Sequence, residues 1–230
     1  MSSAKRDFLT GAAEVAPVVV AYIPIGLLWG TLAAAKGLSP LEALMMSVIV
    51  FAGSAQFVAV DMWRDPIPVL LLTFTVLIVN VRHVLMSASL SRHIDAIPRA
   101  LHPIVAYFLT DESWALAERR ALQEPLTLAF YLGVSLPLAA TWWIATGTGA
   151  MLGRALGDPS AIGLDFAFSA MFIAILMGFW KGPGTAGVLA ASGAVAAGTH
   201  LAFDGPWYIV AGGLAGALYA YVTWRAGEEP

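Results

Sequence analysis

VAPVVVAYIPIGLLWGTLAAA, residues 15–35, carries no formal charge over 21 positions. At 1.5 Å per residue a helix of that length spans about 30 Å, the thickness of a bilayer's hydrocarbon core. Lys5 and Arg6 precede the run and Ala33-Ala34-Ala35 ends it, as in a secretory leader. A leader's apolar stretch covers only about 7–15 residues, so this longer run reads as a membrane span. Working outward, further apolar runs lie at 41–62, 66–87, 126–152, 162–180, 184–200 and 205–224. An eighth, 102–116, is interrupted by Asp111 and Glu112. The expected fold class is all-α: a polytopic transmembrane helical bundle of seven or eight segments, forming a single membrane domain over residues 1–230.

Composition agrees. Hydrophobic residues make up 59% of the chain and charged ones 12%, against about 25% charged in soluble domains. The 22 glycines and 13 prolines suit membrane helices, which tolerate both and pack closely through small residues. The segments lack the alternation of a membrane β-barrel. A net charge of −3 with no basic stripe gives nucleic acid nothing to bind. Without cysteine there are no disulfides, Cys-ligated zinc or iron–sulfur clusters. Walker A, His-Glu-x-x-His and Gly-x-Ser-x-Gly patterns are missing, so the expectation is no enzyme, no cofactor and no metal. Trp63, Trp180, Trp207 and Trp224 stand at segment ends, as in an aromatic belt.

An internal likeness suggests duplication. Phe51 to Val60 (FAGSAQFVAV) aligns with Phe166 to Ile175 (FAFSAMFIAI), 115 residues on. The expected halves are about 15–120 and 126–226, a common transporter architecture with broken helices. Whether they are parallel or inverted turns on whether 102–116 crosses the membrane. The lysines and arginines divide equally well under both readings, so the positive-inside rule leaves the N-terminal side open.

Polar side chains inside apolar runs are costly and mark candidate sites. Asn80, Arg82 and His83 lie late in the third run; Asn80 and His83 share a face at i, i+3. Arg82 either snorkels to headgroups or offers a guanidinium to a carboxylate. Asp111 and Glu112 cannot both ionise easily in a low dielectric, which suits proton coupling. The alternative is a loop between half-helices, with Asp111 as an N-cap. Gly53, Ser54 and Gln56, with Phe51 beside them, combine backbone access, hydrogen bonding and an apolar ring; packing and polar glue between helices explain them equally. Pro24 and Gly26 are a candidate helix break lining a cavity, or a simple kink.

Pro24-x-Gly26, the stretch from Gly37 to Ala43 (GLSPLEA), Met46-Ser47, the stretch from Phe51 to Phe57, Asn80-x-Arg82-His83 and Phe108-Leu109-Thr110-Asp111-Glu112 resemble the AzlC family, the large subunits of bacterial branched-chain amino acid exporters. The likeness covers nearly the whole chain. It implies export of valine, leucine or isoleucine, sometimes methionine, across the bacterial cytoplasmic membrane, driven by protons. It also implies a small AzlD-type membrane subunit as partner. On this reading Phe51, Gly53, Ser54, Gln56, Asn80, Arg82 and His83 contact substrate, and Asp111 or Glu112 carries the coupling proton. The alternative is a passive channel or a membrane subunit without transport of its own.

Overall fold

The computed structural model describes residues 3–156, 182–203 and 207–223, with 173, 177 and 180 besides; side chains at 154–156 are not described. Among these residues every regular element is helical. Among the described residues four helices are long and apolar enough to cross a membrane: Ser3–Ala35, Val69–Leu90, the stretch Leu128–Gly153 and Pro183–Ala202. The all-α membrane bundle holds. Two compact units form: Met1–Arg64 with Asn80–Ala167, and Asp65–Val79 with Phe168–Pro230. The second copy of the repeated motif, at 166–175, apart from Ile173, and most of the run 162–180 lie outside the described residues.

In the first unit, α1 (Ser3–Ala35) runs unbroken through Pro17 and Pro24. The break expected at Pro24 and Gly26 is therefore absent. Gly26 instead lies against Ala145 and Trp142 of α7 (Leu128–Leu156), and this packing holds the helix continuous where proline removes a backbone bond. A Cβ at Gly11, Gly30, Gly133 or Gly149 would run into the facing helix's backbone. Gly11 meets Phe130 and Gly133, and Gly30 meets Thr146 and Gly149. Both series ascend together, so α1 and α7 are parallel, in backbone contact through small residues.

The run 41–62 is not one span. It forms α2 (Pro40–Ile49) and α3 (Gly53–Asp61). Ser39 caps α2 in a capping box with Glu42, and Pro40 opens it, both strong start signals. α2 runs antiparallel to α7: Leu44 faces Gly147 and the Ser47 carbonyl accepts from Trp143 Nε1 at 3.2 Å. α3 then turns back. Lys36 Nζ donates to the Asp61 carbonyl at 3.2 Å, and Trp63 shares a groove with Gly37, Leu38, Glu42 and Met46. Both ends of the pair thus return to the C-terminal end of α1, making α2–α3 a re-entrant hairpin.

The doubtful run 102–116 is a second hairpin, built from α5 (His102–Tyr107) and α6 (Asp111–Ala121). α4 (Val69–Leu90) and α6 are parallel in one register, with Arg82 on Asp111 and Ser89 on Glu118. α6 runs opposite to α1: Tyr22 meets Glu112, while Glu14 meets Arg119. α6 therefore descends to the end of the unit that holds the N-terminus. α5 enters from that same end, and the Tyr131 hydroxyl donates to the Val105 carbonyl at 2.8 Å. Val15, Met86, Leu90, Ile97, Val105, Leu109, Phe130 and Tyr131 fill the core there. A long helix followed by a hairpin occurs twice, in opposite senses.

The second unit holds α8 (Pro183–Ala202) and α9 (Trp207–Thr223). They pack antiparallel through small residues: Ser192 fits against Gly212 and Gly216, and Gly187 against Tyr219. Within this unit Phe74 meets Trp207 edge-on at 5.4 Å.

Candidate functional site

The two hairpins enter from opposite ends of the first unit and their tips meet. Phe51, in the break between α2 and α3, lies 6.3 Å from Tyr107, 6.2 Å from Phe108 and 6.3 Å from Trp143, ring centre to ring centre. The Tyr107 hydroxyl donates to the Val48 carbonyl. Such breaks expose backbone groups, which survive at membrane depth only when paired or lining a cavity.

The breaks are sealed unequally. At the second, Thr110 caps α6: its Oγ1 accepts from the Ser113 amide at 3.2 Å, and Ser113 Oγ accepts from the Thr110 amide at 2.8 Å. Ser113 Oγ also donates to the Phe108 carbonyl at 3.0 Å. The cap is thus Thr110 and not Asp111, because only position 110 has extended backbone with its side chain turned onto the third helical residue. Asp111 and Glu112 occupy the first helical turn, where the dipole favours negative charge. At the first break the carbonyls of Ser47 and Val48 are taken, but the N-cap of α3 is Ala52, with no side-chain hydrogen bond. The first-turn amides of α3 point out of that helix end.

Arg82 lies between the tips and bridges them. Its Nη1 donates to Asp111 Oδ2 at 2.5 Å and its Nη2 to Ser54 Oγ at 2.5 Å. The Arg82 and Asp111 side chains keep 38% and 49% of their surface exposed, so the pair is accessible. Arg82 Nε and Asn80 Oδ1 are buried atoms without a hydrogen-bond partner. His83 Nδ1 lies 3.3 Å from the Asn80 carbonyl. The Tyr22 hydroxyl donates to Glu112 Oε2 at 2.7 Å.

Of the residues expected from sequence, Ser54, Arg82 and Asp111 form one cluster, with Glu112 and Phe51 on the neighbouring tips. Gln56 does not join it. It is fully buried, donating to Ser47 Oγ at 3.0 Å and accepting from Trp142 Nε1 at 2.8 Å. Gly53 serves closeness: a Cβ there would press on the Trp142 ring at 3.3 Å. Sequence reasoning missed Tyr22, Tyr107, Trp142 and Trp143. Tyr22 carried a usable signal, a phenol two residues before Pro24 inside an uncharged run.

The AzlC protein family model matches residues 17–156, a stretch containing the whole cluster. The chain is 31% identical to the inner membrane protein YgaZ of Escherichia coli, over 96% of this chain and 94% of that one. It is 32% identical to an uncharacterized membrane protein of Archaeoglobus fulgidus, over 92% and 93% of the two chains. It is 26% identical to the branched-chain amino acid transport protein AzlC of Bacillus subtilis, over 71% of this chain and 64% of that one. No solved structure matches.

Proposed function

The chain belongs to the AzlC family, and from that premise we propose that it exports branched-chain amino acids through the meeting point of its two hairpins. The cargo is valine, leucine or isoleucine, with methionine as a further candidate. Export runs across the bacterial inner membrane, is proton-coupled, and involves a small AzlD-type subunit. The Bacillus subtilis relative, a branched-chain amino acid transport protein, supports the cargo class. One observation carries the reading: Arg82, bound to Ser54 of one hairpin and Asp111 of the other, lies beside a helix end whose N-cap offers no side chain.

An amino acid is a zwitterion and can insert into the Arg82–Asp111 pair. Its carboxylate takes the guanidinium and the α3 amides, as anions do at half-helix N-termini in transporters. Its ammonium takes the released Asp111 carboxylate, and Asn80 Oδ1 supplies a further acceptor. The apolar side chain packs against Phe51 and the rings around it. Gly53 leaves the α3 backbone open to the ligand, and His83 holds the Asn80 turn. Proton coupling follows from competition: a proton on Asp111 neutralises the carboxylate and expels the ammonium, so proton and cargo alternate. Glu112, held by Tyr22, is the second acid at the same tip.

Inside-out vesicles containing the protein should accumulate labelled valine when their interior is acid. A passive channel would equilibrate valine without accumulating it. Undiminished pH-driven accumulation in the Asp111→Asn/Glu112→Gln double variant would end the proposed proton role.

A further inference from the structure

The seam between α4 and α6 holds a second acid site that the transport reading does not use. The two helices keep a constant offset of 29 residues: Arg82 meets Asp111, and two turns further Ser89 meets Glu118. Ser89 Oγ donates to Glu118 Oε1 at 2.5 Å, and His93 Nε2 stands 3.3 Å from Glu118 Oε2. Asp111 and Glu118 lie on one stripe of α6, about 10 Å apart along the axis at 1.5 Å per residue. Between them on the same stripe is Trp114, whose Nε1 is buried with no hydrogen-bond partner.

Of the acids nearby, all but Glu112 face an arginine, and Glu118 does not. From α1, Glu14 pairs with Arg119 at 2.7 Å, and Asp7 lies 3.9 Å from Arg120. Glu124, before α7, binds Arg120 at 2.6 Å. Asp111 holds Arg82 and Glu112 holds Tyr22. Arginine stays charged at all working pH values, so an acid facing arginine has a partner that cannot itself take up or release a proton. Glu118 instead faces a hydroxyl and an imidazole. A hydroxyl can donate or accept, and an imidazole gains or loses a proton near neutrality. Arg92 and Asp95 occupy the loop that follows α4. His93 and Glu118 are partly exposed, at 32% and 22%, which gives water access from that end.

We propose that Glu118 and His93 form a proton relay site, carrying the coupling proton between the water at the N-terminal end of the unit and Asp111 at the hairpin tips. The site takes one proton at His93 Nε2 or a Glu118 oxygen. It passes that proton toward Asp111 on the same stripe of α6, and the reverse path releases it. This rests on the proton-coupled reading above, and the test separates the two.

Wild type, Glu118→Gln and His93→Gln are compared in inside-out vesicles by two assays with labelled valine: accumulation driven by a pH gradient, and counterflow at equal pH. The relay predicts that Glu118→Gln loses driven accumulation by about tenfold while counterflow stays within about twofold of wild type. Driven accumulation unchanged in Glu118→Gln overturns the relay and leaves proton coupling standing. A wild type indifferent to the gradient overturns both. If Glu118→Gln also loses counterflow, His93→Gln decides: the relay requires its driven rate to change several-fold across pH 6–8 relative to wild type, and an unchanged pH profile overturns it.

Discussion

Gln56→Leu tests whether one buried amide holds the first hairpin in place. Gln56 ties α3 to Ser47 of α2 at 3.0 Å and to Trp142 of α7 at 2.8 Å. Leucine has nearly the same volume, so little cavity forms. The Ser47 hydroxyl can turn back to a carbonyl of its own helix. The Trp142 indole N–H has no such recourse and is left buried and unpaired. An orphaned buried donor costs about 1–3 kcal/mol, and a lost interhelical hydrogen bond in a membrane protein averages about 0.6 kcal/mol. Together these put the loss at about 2–4 kcal/mol. Trp142→Phe removes the donor itself, along with contacts to Gly53 and Tyr22. Those contacts are lost in both legs of a double-mutant cycle and cancel. The Gln56→Leu/Trp142→Phe variant should therefore lose less than the sum of the singles, with a coupling of about 1–2 kcal/mol. Reversible unfolding in mixed detergent–SDS micelles, followed by far-UV circular dichroism, measures all four proteins. A coupling within about 0.3 kcal/mol of zero would mean that the amide does not clamp the hairpin.

Arg82→Lys keeps the charge, but an ammonium lacks the planar fork that reaches Ser54 and Asp111 together. Valine counterflow should fall about tenfold or more, a loss of roughly 1.4 kcal/mol, and a wild-type rate would remove Arg82 from the site. Gly133→Val drives a side chain into the Phe8 backbone of α1. It should destabilise the protein by about 3 kcal/mol in detergent unfolding, whereas Gly193→Ala, with open space around it, should change stability by less than about 1 kcal/mol. The chain has no cysteine, so single introduced cysteines report topology directly. Lys36→Cys and Arg64→Cys should react with an impermeant maleimide from one face, and Ser91→Cys and Gln123→Cys from the other; opposite faces for positions 36 and 64 would make 40–61 a true span.

The sequence revealed the class of fold because bilayer thickness acts on every long helix alike. The run 15–35 shows this, even though α1 begins twelve residues earlier, at Ser3. It did not reveal the hairpins. Hydropathy registers how apolar a segment is and not where it turns, and both halves of 41–62 are apolar. The turn itself rests on Gly53 and on neighbours far along the chain, Tyr107 and Trp143 among them. Arg82, Ser54 and Asp111 were legible as polar groups in oily surroundings. Their meeting was not, since it depends on two hairpins entering from opposite ends. Gln56 shows the converse error: the same polarity in the same setting served packing, because Ser47 and Trp142 satisfy it completely. Pro24 misled through its backbone chemistry. A missing hydrogen bond does not break a helix whose face is pressed glycine to backbone against its neighbour.

Hairpins that turn back also change the side on which every later charge falls. With 40–61 and 102–121 both returning to their point of entry, Lys5, Arg6, Arg92, Arg99, Arg119 and Arg120 lie at one end of the first unit. Lys36 and Arg64 lie at the other. Counting either hairpin as a crossing separates the pairs that this arrangement unites, and the positive-inside rule then has nothing to choose between. Counting both as returning puts six of these eight charges at the N-terminal end, the end that the positive-inside rule then favours for the cytoplasm. On that orientation the α5–α6 hairpin opens inward and the α2–α3 hairpin outward. Among the described residues, Arg82, held by one residue from each, is then a cation that both openings reach. A ligand that replaces Asp111 on that guanidinium loosens the inner hairpin, and one that replaces Ser54 loosens the outer. On the transport function proposed above, the carboxylate of an amino acid does either, which is the property that alternating access requires of its central group.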